Sequence, residues 1–310
     1  MLRIALLAVV STIGAAAIVA GCDLQKFTVN QTAPVLHSAN ASLQQESDYE
    51  TAYRAIPGAL KTVEGFWVVN PDNEQLTQVL TEGYCQYGTA VVEDDWEVAR
   101  FAKRLDDVAY DDERATKAFT RCLNYALLQL GARWQKDLYG TSDAVLQLIK
   151  DTGHDKRTPM MWAALAIGSI INHNLRRPEA LAYIPLVKAM LLRVVELDKD
   201  SPPDQEQLAA LPHVALGMIY SGASKQFGGD PDAAAAEFQL ALTITHDKLL
   251  LARVLYGYRV GLQTNNRKLF HDQLVQVMST DPAVWPEQRL ANEVARRKAR
   301  RYLSHEKDLF

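Results

Sequence analysis

From Asp48 to the C-terminus, apolar residues recur at intervals of three and four, and strand-like alternation is almost absent. That period restricts the chain to helices that bury one stripe each against their neighbours. Four places combine a polar residue, proline and an acid: Asn70-Pro71-Asp72, Ser201-Pro202-Pro203-Asp204, Asp230-Pro231-Asp232 and Asp281-Pro282. Proline is tolerated at a first helical position because its missing N–H would have no partner there, and a carboxylate meets the positive end of the helix dipole. The spacing therefore predicts an all-α fold of about a dozen helices joined by short turns. A 48% hydrophobic content supports a packed core and excludes wholesale disorder.

The helices also repeat. A tetratricopeptide unit carries a bulky residue, Leu-Gly, Tyr, and then Ala and Phe on its second helix. His213, Leu216, Gly217 and Tyr220 match the first helix of such a unit, and Ala234, Phe238 and Ala241 match the second. The small residues let two antiparallel helices approach, and Leu216, Tyr220 and Phe238 fill the seam. Weaker copies pair Thr77, Leu80 and Tyr84 with Ala115, Phe119 and Cys122, and join the Trp162 helix to one ending at Leu197-Asp198. Tyr256 and Phe270 mark a degenerate last copy. The expectation is a tetratricopeptide-like array of about four irregular pairs over residues 47–310. An irregular helical bundle is the competing architecture.

The N-terminus reads as an address. Arg3 precedes an almost unbroken apolar run from Ile4 to Val19, shorter than the roughly 20 residues of a membrane helix. The run closes with Val19-Ala20-Gly21-Cys22, which resembles a bacterial lipobox. Residues 1–21 are then a cleaved signal peptide, and Cys22 carries diacylglycerol and an N-acyl chain. A cleaved signal with an incidental Cys, or an uncleaved anchor, is the alternative. Asp23 resembles an inner-membrane retention signal, which favours the inner over the outer membrane. The rest of residues 22–46 is rich in Asn, Gln, Ser, Thr and Ala and reads as a flexible tether.

Signal, tether and repeat together resemble the T component of tripartite ATP-independent periplasmic (TRAP) transporters. The likeness runs from about Tyr49 to Phe310. It rests on Tyr53–Leu60, Leu76–Tyr84, Trp162-Ala163-Ala164, and Glu196-Leu197-Asp198. It continues with His213 and Leu216-Gly217, Gly229-Asp230-Pro231, Arg289-Leu290-Ala291-Asn292, Arg296–Ala299 and Leu309-Phe310. The resemblance implies a non-enzymatic, lipid-anchored periplasmic homotrimer. It would dock the transporter's solute-binding protein and pass a hydrophobic small molecule through an apolar channel. A tetratricopeptide scaffold lipoprotein for envelope assembly, without a ligand, is the alternative. The insertion from Val91 to Asp112 departs from the family pattern and bears on the trimer or docking surface.

On the inner side of the helix pairs, Ala163, Ile167 and Ile170 form one apolar stripe, and Val214 and Met218 another. Such residues are ordinary core; the resemblance makes them the candidate ligand channel. Little else carries chemistry. Seven His residues are scattered without metal-ligand spacing, and there is no nucleophile elbow or phosphate loop. Gly228-Gly229-Asp230 reads as a turn and cap rather than an ion loop. No cofactor is expected. A net charge of −4 and the export signal exclude nucleic acid as a partner.

Two further expectations concern Cys85, Cys122 and the last helix. Placed late on both helices of an antiparallel pair, the cysteines would lie too far apart to bridge, which predicts buried free thiols. Arg296-Arg297-Lys298 and Arg300-Arg301 read as the solvated outer face of a capping helix. Attraction to anionic lipid or an acidic partner is the other reading.

Overall fold

The computed structural model describes residues 24–223 and 225–310, so the signal peptide and Cys22 lie outside the described residues. A helix over 24–44 (α1) leads into α2 (Tyr49–Val69) and α3 (Glu74–Tyr87). One wide turn, Gly88–Val92, carries α3 without a break into α4 (Glu93–Phe101), and α5 (Leu105–Leu130) returns antiparallel. Two short helices, α6 (Ala132–Asp137) and α7 (Ser142–Asp151), precede α8 (Arg157–Asn172). Then come α9 (Pro178–Leu181), α10 (Ile184–Asp200), α11 (Glu206–Tyr220) and α12 (Pro231–Ile244). The chain closes with α13 (Leu250–Leu255), α14 (Gly261–Gln263), α15 (Arg267–Ser279), α16 (Arg289–Ser304) and α17 (Glu306–Leu309). The described residues are otherwise turns and short helical segments, and the helices pack in adjacent pairs.

Caps explain several of the starts. Asp230 accepts from the Ala233 N–H ahead of Pro231, as its position predicts. The Asn70-Pro71-Asp72 signal is displaced by three residues: Asn70 ends α2, and Asn73 caps α3 by accepting from Leu76 N–H. Asp281 caps a single 3₁₀ turn rather than an α-helix, and α11 begins at Glu206 without a side-chain cap.

In the α11–α12 pair, Leu216, Ala234, Phe238 and Ala241 are buried, and Tyr220 is half-buried against them. A Cβ on Gly217 would lie 2.9 Å from the Phe238 ring. The arrangement recurs. Gly88 lies under Phe119, and Gly261 against Phe270, with both rings buried. Gly217→Leu should therefore force the α11–α12 seam apart and cost about 1–3 kcal/mol, read as a lower urea midpoint. An unchanged midpoint would mean the seam has slack.

Arg157, buried at the start of α8, donates from Nε to Asp198 Oδ1 at 2.7 Å and from Nη2 to Leu208 O at 2.7 Å. One side chain thereby ties α8 to the end of α10 and the start of α11.

Three expectations are corrected. Cys85 and Cys122 form a disulfide with Cα atoms 5.3 Å apart. The free-thiol expectation placed Cys85 at the end of its helix. Because α3 continues through the wide turn into α4, Cys85 lies mid-helix, and the two cysteines stand at nearly equal chain distances from the turn at Lys103.

The basic run is a solvated face only in part: Arg300 is exposed, but its neighbours turn inward. Lys298 is only 4% exposed and, with Arg297 and Arg301, it packs on acidic residues of α4. Nor is all of 22–46 a loose tether. Residues 24–44 are helical; Val29 and Ala33 are buried against the core, and Asn30 Oδ1 accepts from Asn70 and Asn73. Lys26 is the one charge in this segment, and Val29, Ala33, Leu36 and Leu43, at spacings of four, three and seven, form the inner stripe that packs α1 on the core.

Candidate functional site

A cavity of about 290 Å³ opens between α5, α8 and the turn leading to α10. Leu123 from α5 and Ile167, Ile170 and Ile171 from α8 make its walls. Tyr139 and Tyr183 meet edge to face, 5.8 Å between centroids, and flank it with Ala180. Thr116, Asn174, Arg177 and Glu179 supply the polar part of the lining. Two of these are already engaged: Asn174 Nδ2 donates to Thr116 Oγ1 at 2.9 Å and to Ile170 O at 2.8 Å. The surface offered to a guest is thus largely apolar, the usual character of a small-molecule pocket.

The α8 face is apolar through Ile167, Ile170 and Ile171 because three β-branched residues fall at helical spacing on one side. Of the sequence-derived channel residues, Ile167 and Ile170 line this cavity. Ala163 is buried in the same core one turn earlier. Val214 and Met218 lie apart from it, packed with α12 in a second cluster, and Arg259 Nε approaches Met218 Sδ at 3.3 Å. Thr116, Tyr139 and the turn residues Asn174, Arg177 and Glu179 were not legible as lining. Their side chains converge only through the α5–α8 packing, and no periodic signal marks them.

His173 caps α8 directly beside the cavity. Its Nδ1 is 2.9 Å from Asp112 and its Nε2 3.3 Å from Glu93, with the side chain fully enclosed. Trp96 meets the ring edge-on at 5.2 Å. Burial pulls the His173 pKa down, but the Glu93 and Asp112 carboxylates outweigh it, and the value is raised above the ordinary 6.5. The inserted segment therefore holds the cavity's end of α8 in place.

The same insertion locks the C-terminal helix. Glu97 accepts from Lys298 Nζ at 2.8 Å, Arg301 Nη1 at 2.5 Å and Tyr302 OH at 2.6 Å. Asp94 accepts from Arg297 Nε at 2.9 Å, from Tyr49 OH at 3.2 Å and from Arg301. The Arg297 guanidinium also covers the Tyr49 ring at 4.3 Å. The contacts from Asp94 and Glu97 to α16 join residues some two hundred positions apart, so the array closes α4 onto α16. Burial pushes the Glu97 carboxyl up, yet the Lys298 and Arg301 charges bring it below its ordinary value. Asp94 is depressed likewise, burial being overcome by Arg301 and Arg297.

Among the described residues, no group of three or more His, Cys, Asp or Glu side chains could hold a metal ion. Among the same residues, no helix is long and apolar enough to cross a membrane. No curated protein matches the sequence. The sequence profile of the TRAP transporter T-component family matches residues 45–310, nearly the whole described fold. The chain belongs to the TRAP transporter T-component family.

Proposed function

We propose that the protein is the lipid-anchored, periplasm-facing accessory component of a TRAP uptake system. In this reading, the Cys22 lipid holds it to the membrane, the inner one favoured, and the helical domain assembles as a homotrimer that docks the solute-binding protein. The helix pairs α3–α5, α8–α10, α11–α12 and α13–α15 serve as a short tetratricopeptide-like scaffold. No covalent chemistry is involved. The observation that supports ligand relay is the cavity against α8, whose walls suit an apolar small molecule. Ile167 and Ile170 contact that guest; Ala163 sets the close packing behind them.

Substituting Ile170→Arg places a cation in an apolar wall and should abolish enhancement of an uncharged apolar fluorescent probe such as N-phenyl-1-naphthylamine. An unfolded variant is detected separately by circular dichroism. Retained enhancement in folded I170R would remove the cavity from the mechanism. Capture of the solute-binding protein without any guest would then favour the scaffold reading.

A further inference from the structure

Helix α1 is described from Leu24, two residues along the chain from Cys22, and is fixed to one corner of the array. Lys26 Nζ lies 3.7 Å from Asp72 at the α2–α3 turn, and Asn30 holds Asn70 and Asn73 on either side of that turn. Val29 and Ala33 bury the inner side of α1. The outer side carries Leu24 and Phe27, 65% and 59% exposed. At the same corner, α2 ends in Val68 and Val69, 66% and 41% exposed. Large apolar residues left in water at one corner of the fold mark a surface that meets something apolar.

The occupant follows from chain length. Three residues fully extended reach at most about 11 Å, so a lipidated Cys22 keeps Leu24 and Phe27 within reach of the headgroup layer. Because α1 is docked rather than loose, the corner cannot drift away from its anchor. We infer that Leu24, Phe27, Val68 and Val69 form a membrane footprint that seats the α2–α3 corner on the lipid surface and orients the whole array. The proposal rests on the lipoprotein reading above. Its charge is modest: Lys26 and Asp72 offset each other, so the contact is apolar and tolerates salt.

The orientation has a consequence. The continuous helix formed by α3 and α4 rises from this corner to the turn before α5, about 40 Å at 1.5 Å per residue. The α4–α5 turn, with Leu105 exposed, then projects away from the membrane.

The test uses mature lipidated protein in vesicles of phosphatidylethanolamine and phosphatidylglycerol. With Cys22 acylated and Cys85 bonded to Cys122, a single introduced cysteine is the one free thiol. Val68→Cys and Leu105→Cys are labelled with an environment-sensitive dye. The footprint predicts a blue shift and quenching by lipid-borne nitroxide at position 68, unchanged in high salt, and neither effect at 105. A water-exposed dye at 68 on a chain whose acylation is confirmed by mass spectrometry overturns the footprint. So does a blue shift at 68 in a form that begins after Cys22, with neither vesicles nor detergent, since a neighbouring subunit would then cover the patch. Absence of acyl mass on Cys22 refutes the lipoprotein reading instead.

Discussion

Glu97→Ala should lower stability by about 3–5 kcal/mol, because it leaves Lys298 buried without its carboxylate and frees Arg301 and Tyr302 of a shared acceptor. Urea denaturation measures the loss. Hydrogen exchange should place it first in α16, which α4 then holds through the Asp94 ion pairs without those of Glu97. Replacing both charges, Glu97→Leu with Lys298→Met, should recover part of the stability, since an apolar pair avoids the desolvation of two ions while Arg301 and the Tyr302 hydroxyl stay without the Glu97 acceptor. Equal losses in the single and double variants would show that the ion pair is not what joins α4 to α16.

The pH dependence has a definite sign. Glu97 and Asp94 both titrate below their ordinary values in the folded chain. Their contribution is therefore fully present above the unfolded carboxylate range, near pH 4 to 4.5, and is lost as pH falls through the depressed folded values. A chain carrying Glu97→Leu and Lys298→Met should show a shallower acid limb.

Removing the disulfide should have an effect of similar size. Cys85 and Cys122 are 37 residues apart, and a loop of that length restrains the unfolded chain by about 4 kcal/mol in the chain-entropy account. Both sulfurs are buried between α3 and α5, so Cys85→Ala with Cys122→Ala should lower the urea midpoint without moving the helices. Reductant should destabilise the native chain to the same extent and leave the double variant unaffected. Thiol titration of the unreduced, unfolded chain, in a form that begins after Cys22, should find no free thiol. Two free thiols would contradict the bond.

Local chemistry made part of this architecture readable. Helical periodicity, the Asp230 cap and the small residues around Phe238 are short-range signals, and the positions they mark are those that pack α11 on α12. Ile167 and Ile170 were legible for the same reason, lying on one stripe of a single helix. Distant partners were not. The basic residues at 297–301 read as a solvated face because nothing in their own segment announces Asp94 and Glu97, some two hundred positions away.

The cysteine bridge was hidden by a subtler effect. A wide turn that does not end its helix has no proline or cap to mark it, so the register of α3 and α4 against α5 could not be inferred. In residues 24–44 the stripe of Val29, Ala33, Leu36 and Leu43 is thin among Asn, Gln, Ser and Thr, so the segment reads as a tether although that stripe packs it on the core.

The central claim, that this T component works by engaging the solute-binding protein of its transporter, is tested most directly by sedimentation velocity. The mature protein, in detergent or without its lipid, is mixed with the co-encoded solute-binding protein. The account predicts an oligomer that shifts to a larger, saturable species as the solute-binding protein is added. A monomer whose sedimentation is unchanged at any ratio of the two would contradict it.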